Sequence, residues 1–504
     1  MTTLPAEDGN PEKTLNLLWT RVRQRGDLPG FSKVVTAILG AMQGENDREF
    51  NMTRTVLADP TLTQKVLRLA NSAMYAVFGR EINTVSKAII VLGTESIGHL
   101  ALGLKLVDGL SAVSSSSENA RDEMEKAVLA GHIARQVASA ASTRDAEEAV
   151  VCSMMHGLGR MMVTFYLSDR WLLVQARCAE TGLDENAAAR DIFGLGLDEI
   201  GRLIARQWNL PSSLVESMRD IEPGPLVDPL NHAGWLSAIS TMSSRCAEVL
   251  HGEEADSAAV SAVTARIAGN FAEMLGLETS QLLAAIETAK VTVTEDVAFG
   301  NPTRTDQTDR RAGTARKGGK PADAALILTR GVADMRGVLN TARVGQLMTM
   351  ALETVYKGLG LSRGIVFLRA RQGEKYAGKM CFGEGVQELL PRLAFDDAYQ
   401  PDVFHAALAN DKMIFVEEAQ SAAFVNKLPR WWKNAFPTAR SFIVLPLIVN
   451  RDALGFIYGD WDQSLPPVKI DVSEILPVNE LRELVVQAVE LRRRMESGSN
   501  GTIL

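Results

Sequence analysis

The side chains best suited to chemistry lie in two stretches of the first half. VLAGHIARQVA carries His132, and VVCSMMHGLGR carries Cys152, His156 and Arg160. Imidazoles on helices can ligate metal ions, and a two-metal hydrolytic site would set them among several carboxylates that bridge and neutralise the cations. The acids are what this sequence lacks. His156 is followed by Gly157, which offers no ligand, and a zinc site built on the histidines would need a third donor from elsewhere, with Asp220 and Asp228 as the available acids. Cys152, four residues before His156, shares its helix face, but no electropositive surrounding or third orienting group is evident, so it reads as a packing residue.

Helices must position these groups. From residue 10 to about 295, Ala, Leu, Met and Glu recur at three- and four-residue intervals with few alternating runs, which predicts an all-α region. In ADPTLTQKVLRLANSAMY, Asp59 suits an N-cap, Pro60 the first turn, and Leu62, Val66 and Leu69 one apolar face. Thr84 can open a further helix over Val85 to Leu92, which Gly93 closes.

Composition bounds the rest. The chain has 504 residues, enough for about three units, with 46% hydrophobic and 23% charged residues and a net charge of -8. That excess of acid disfavours nucleic acid and anionic lipid as partners. Cys152, Cys178, Cys246 and Cys381 have no paired spacing and fit free thiols in a reducing compartment. The N-terminus has no apolar signal core, and no run approaches the ~20 apolar residues of a membrane span. A cytoplasmic protein without a membrane segment is expected.

Asn301 to Ala322 loses its large apolar residues and gathers Arg304, Arg310, Arg311, Arg316, Lys317 and Lys320. Without interleaved aromatics this reads as a flexible basic tether rather than a nucleic-acid surface. Beyond it, GIVFLRA, KMCFG, KMIFVEE, SFIVLPLIV and ALGFIYGDW read as strands, the last two joined at Asn450-Arg451-Asp452 into a hairpin. ILPVNELRELVVQAVELRRRM then places Leu481, Leu484, Val485, Ala488, Val489 and Leu491 along a closing helix that can dock on its own sheet or on a partner copy.

The order of several short motifs resembles the HDOD family, output-domain relatives of the HD phosphohydrolases. They are LPGF at Leu28 to Phe31, Asp59-Pro60, the triplet Ala70-Asn71-Ser72, Leu92-Gly93, and QWNLP with Trp208 and Pro211. The resemblance implies an HD-like helical bundle. It also makes His132 and His156 the histidines of the HD pattern, with Gly157 standing for the paired aspartate and Gly234, in NHAGWLSAIS, for the last metal-binding aspartate. The metal site is thus expected to be vestigial, with no cofactor and no catalytic residue, and both histidines to be core side chains.

From Asp323 to Arg494 the order of elements and the ending Leu445 to Asp460 resemble a GAF domain. That resemblance implies a small-molecule pocket between sheet and covering helices, or a dimerisation module. Asn426-Lys427 and Phe436 lack the following acidic pair of cyclic-nucleotide-binding members, which disfavours that ligand.

The expected architecture is multidomain: a disordered 1–14, an all-α HDOD domain with helical extension over 15–298, a linker over 299–322, an α+β GAF-like domain with an antiparallel sheet over 323–496, and a disordered 497–504. The expected function is non-catalytic signal transduction, in which GAF-like sensing is coupled to a degenerate HDOD output that binds signalling proteins. A homodimer through the GAF-like domain and terminal helix is an accompanying option. The alternative is a metal-dependent phosphodiesterase, of cyclic-dinucleotide type, in the HD superfamily.

Overall fold

Helix boundaries follow local side-chain chemistry. In the computed structural model, Asp59 is extended and its carboxylate accepts the Leu62 N–H at 3.0 Å, so the Pro60–Ala70 helix starts at the proline and buries Leu62, Val66 and Leu69. Thr84 caps the Val85–Leu92 helix through the Lys87 N–H, and Gly93 ends it at φ 91°, a left-handed value that glycine adopts at no steric cost. The structure describes all residues except 1–8, 26–30, 45–46, 72–74, 76–80, 115–117, 142–144, 225–229, 252–257, 296–318, 371–373 and 500–504.

Both ends that the sequence reading set as disordered contain helix among their described residues, while 1–8 and 500–504 lie outside them. Asn10 accepts the N–H groups of Glu12 and Lys13, which starts the Pro11–Arg25 helix inside the 1–14 segment. Thr14 is buried there, its hydroxyl donating to the Phe193 carbonyl at 2.9 Å. At the other end the Val472–Ser499 helix takes in residues 497–499.

The chain forms two units that interleave along the sequence. One comprises Met1–Glu45 and Thr94–Asp306, the other Asn46–Gly93 and Gln307–Leu504. This differs from the boundaries read off the sequence: residues 46–93 belong with the sheet rather than with the other helices. The first unit is helical throughout its described residues. At its centre the Glu118–Ala140 helix packs against the Ala146–His156, His232–Leu250 and Thr279–Glu295 helices. Small residues set the spacing there. A β-carbon at Gly131 would lie 2.7 Å from Met154 Cγ, and one at Gly159 would lie 1.8 Å from the Leu197 carbonyl oxygen.

The second unit is α+β. Strands β1 (Arg363–Arg369), β2 (Lys375–Phe382), β3 (Ala394–Asp396), β4 (Ile414–Val416), β5 (Ala439–Val449) and β6 (Asp452–Asp462) form one antiparallel sheet in the order β3-β2-β1-β6-β5-β4. Strand β3, Ala-Phe-Asp, has no β-branched or apolar run and so escaped the sequence reading, whereas the equally short β4 is Ile-Phe-Val. Asn450 and Arg451 both take positive φ, 51° and 68°, as a two-residue turn matching the strand twist requires. The Val472–Ser499 helix packs against β5, burying Leu481, Leu484, Val485 and Ala488. Of the basic tether, residues 299–318 lie outside the described residues, and Lys320 is no solvated charge: it pairs with Glu474 at 2.9 Å and Asp471 at 3.2 Å.

Candidate functional site

His156 is the last residue of the Ala146–His156 helix, and Gly157 links it directly to the Leu158–Tyr166 helix. The imidazole is held at both nitrogens. Nδ1 lies 3.0 Å from the Ser217 carbonyl oxygen, which only accepts, so Nδ1 is the donor in that bond. Nε2 lies 3.0 Å from Asp220 Oδ1. The bond from His156 holds the Asp220 carboxyl below the usual carboxylate range. Asp220 therefore reaches the histidine, as a hydrogen-bond partner. Asp228 lies outside the described residues.

Gly157 has φ -83° and ψ 11°, open to any L-residue, and a β-carbon there would meet nothing within 4 Å. Neither backbone nor space demands glycine; an aspartate would fit. Gly159, two residues on, is the opposite case, because its Cα is pressed against the backbone of Leu197 and Gly201. The two glycines of HGLGR have unrelated causes.

His132 sits within the Glu118–Ala140 helix at 4% exposure, and burial, with Arg135 adding to it, pushes its pKa down to about 3. It stays neutral at ordinary pH. Gly234 lies in the first turn of the His232–Leu250 helix, where its N–H donates to the capping Asn231 side chain at 2.8 Å. Cys152 is fully buried and burial pushes its thiol up, which leaves no thiolate for nucleophilic attack. Among the described residues, no three His, Cys, Asp or Glu side chains converge to hold a metal ion. With His156 engaged at both nitrogens and glycine at 157 and 234, the donors present do not fit the two-metal centre of an active HD hydrolase.

What remains at this place is a charged cleft of about 570 Å³ lined by His156, Gly157, Arg160, Glu185, Asp220 and Glu248, among others. Its carboxylates are Asp184, Glu185, Asp198, Asp220, Glu222 and Glu248, against Arg160, Arg190 and Arg245. Arg160 ties its own helix to four others. It meets Glu248 at 2.6 Å and Glu185 at 3.1 Å, lies 3.2 Å from Glu123 and stands over the Trp171 ring at 5.6 Å. Burial pushes Glu248 up, but Arg160 and Lys126 together hold it below its ordinary value; at Glu185, burial wins and the carboxyl is raised. Sequence reasoning passed over a neighbouring pair, His232 and Glu148, 2.9 Å apart. Their separation of 84 residues leaves no local signal.

The HDOD family model, described as HDOD domain, matches residues 28–222. This chain carries an HDOD domain. An uncharacterized protein of Treponema pallidum (strain Nichols) is 22% identical over 195 residues, which is 38% of this chain; the chain spans 37% of the length of that curated relative. A crystal structure of an HDOD domain protein with unknown function from Geobacter sulfurreducens is 20% identical, covering 56% of this chain and 96% of that one, with a TM-score of 0.42. The GAF domain of an Acinetobacter phosphoenolpyruvate-protein phosphotransferase is 11% identical, covering 34% of this chain and 96% of that one, with a TM-score of 0.27.

The HDOD motif residues are structural. Asp59 and Pro60 start a helix, and Asn71, after Ala70, brackets Ile82, accepting its N–H at 2.8 Å and donating to its carbonyl at 2.7 Å. Ser72 lies outside the described residues. Leu92 and Gly93 end a helix, Trp208 is the C-cap of the Leu197–Gln207 helix, and Pro211 precedes the Ser212–Ser217 helix.

The α+β, antiparallel unit has the architecture of a GAF-like domain. The space over its sheet is filled with rings: Phe395 stacks on Trp431 at 4.8 Å, and Phe367 on Phe456 at 4.7 Å. Beneath them runs a dry hydrogen-bond chain. Trp432 Nε1 donates to the Tyr458 hydroxyl at 2.9 Å, that hydroxyl to Asp460 at 2.8 Å, and Arg363 Nε to Asp460 at 2.8 Å. Complete burial raises the Asp460 carboxyl to about 6 despite the arginine. No single helix among the described residues is long and apolar enough to cross a membrane.

Proposed function

We propose that this chain is a non-catalytic regulatory protein of the cytoplasm, in which the GAF-like unit senses a signal and the HDOD domain answers by binding a signalling protein. The observation that carries this reading is the state of His156. Both ring nitrogens are spent on Ser217 and Asp220, and the neighbouring position that would supply a carboxylate is a glycine with open space around it. Asp220, the one described acid of the two candidates, reaches the ring as a hydrogen-bond partner. The cleft that persists is predominantly acidic and suits a partner presenting basic side chains. On the GAF-like unit, Val472 and Leu476 of the terminal helix are 76% and 70% exposed, an apolar surface that a second copy would cover.

The test is metal analysis and turnover on the purified full chain, with a chromogenic phosphodiester and cyclic dinucleotides as substrates and Mn²⁺, Mg²⁺ or Zn²⁺ added. No turnover above buffer is expected. Metal-dependent hydrolysis that disappears in His156→Ala would replace this reading with the phosphodiesterase one.

A further inference from the structure

Residues 46–93 fall inside the HDOD match yet fold with the GAF-like unit. The Val85–Leu92 helix packs on the Ala324–Val338 and Val344–Gly358 helices, and the latter packs in turn on β1, β2 and β6. Between the sheet and the Ala324–Val338, Val472–Ser499 and Val85–Leu92 helices, every residue from Leu347 to Tyr356 is buried, Glu353 among them.

The contact is built around two dry carboxylates, Asp334 at 1% and Glu353 at 0% exposure. A helix N-terminus presents N–H groups without intrahelical partners, and here those groups meet the acids. Glu353 accepts Val85 N–H at 2.8 Å, Ser86 N–H at 2.9 Å and the Ser86 hydroxyl. Asp334 accepts Asn83 N–H at 2.9 Å, the Thr84 hydroxyl at 3.0 Å and Lys87 Nζ at 3.0 Å. A buried carboxylate is tolerated only while partnered. Most of these donors come from residues 83–87, with Lys357 adding one to Glu353 at 3.3 Å. A second contact fixes the neighbouring helix: Phe50 stacks on Phe382 of β2 at 5.4 Å. At its far end the Val85–Leu92 helix is joined through the single residue Gly93 to the Thr94–Ser114 helix.

We propose that residues 46–93 are the transmitter between the GAF-like unit and the remainder of the HDOD domain, with Asp334 and Glu353 as the latch that sets their position. A shift of the Val344–Gly358 helix on its sheet must carry the Val85–Leu92 helix with it, since release would strand both carboxylates. This holds whatever the GAF-like unit binds and whether or not the cleft is catalytic.

Hydrogen exchange on the full chain tests it. In the double variant Asp334→Asn, Glu353→Gln, each amide offers one oxygen where the carboxylate offered two, and sets an N–H₂ against a donor. Exchange across 48–57 and 85–92 should quicken at least tenfold, exchange across 94–105 and 146–166 should change with it, and β5 and β6 should keep their protection. Lys87→Met with Ser86→Ala, which attacks the latch from the other side, should reproduce the pattern. Unchanged exchange at 85–92 in both variants overturns the latch. A change confined to 46–93 overturns transmission, and loss of protection in β5 and β6 together with 85–92 reduces the acids to core residues of the GAF-like unit.

Discussion

The cleft at His156 and the carboxylates beneath the Val85–Leu92 helix both join ionisable groups across helices, but under different physics. Asp220 leaves 47% of its side chain exposed, so water shares the burden of its charge. Asp334 and Glu353 have no such recourse and depend on donors supplied by protein. The region of the His156 motif is the permissive one, and the demanding construction lies where no motif points. Exposed pairs contribute little because solvent screens them, whereas a dry charge deprived of partners is strongly unfavourable.

That contrast gives a ranked set of expectations. Glu353→Ala, which leaves the Val85 and Ser86 N–H groups and Lys357 without their acceptor, should lower stability by roughly 3–5 kcal/mol in thermal denaturation; a loss as small as that of Asp220→Ala would erase the distinction. His132 sharpens it within the helical unit. Its pKa is depressed in the fold to about 3, so between that value and about 6.5 the unfolded chain binds a proton that the folded chain does not. Stability from this group is present above about pH 6.5 and falls on acidification by about 1.4 kcal/mol per pH unit. Denaturation of His132→Gln at a series of pH values should show a shallower acid slope than wild type.

Asp460 should act in the opposite sense. Its folded pKa is raised to about 6, so its contribution is present below the unfolded value near 4 and is lost as pH rises toward about 6. Asp460→Asn should flatten that fall, and a parallel pH profile would show that the Arg363 pair cancels the burial. Among the glycines, Gly159→Ala should destabilise by about 1–3 kcal/mol through overpacking against Leu197, while Gly157→Ala should be neutral within about 0.5 kcal/mol. Equal thermal shifts for the two would remove the case that Gly157 is a lost acid rather than a packing requirement. The smallest effect should be Asp220→Ala, below about 1 kcal/mol.

Much of the local structure was legible. Asp59-Pro60 and Thr84 mark helix starts because capping involves neighbours three residues away, and the β5–β6 turn was readable because a two-residue connection is a local event. That Gly157 offers no side-chain ligand beside His156 was equally plain. Helical periodicity from residue 10 was readable, but setting 1–14 as disordered overlooked the Asn10 cap and the distant partner of Thr14, Phe193. Lys320 was misjudged for the same reason, its partners lying about 150 residues on.

By itself the sequence determined most helical and strand segments, their caps and turns, and that the residue beside His156 carries no carboxylate, since each depends on residue type over a few positions. The tertiary structure alone decided that residues 46–93 join the sheet, and that Asp334 and Glu353 receive the free N–H groups of a helix some 250 residues away. Charged residues in a helix read as solvent-facing. Only the fold shows that here water has been replaced by another helix's end.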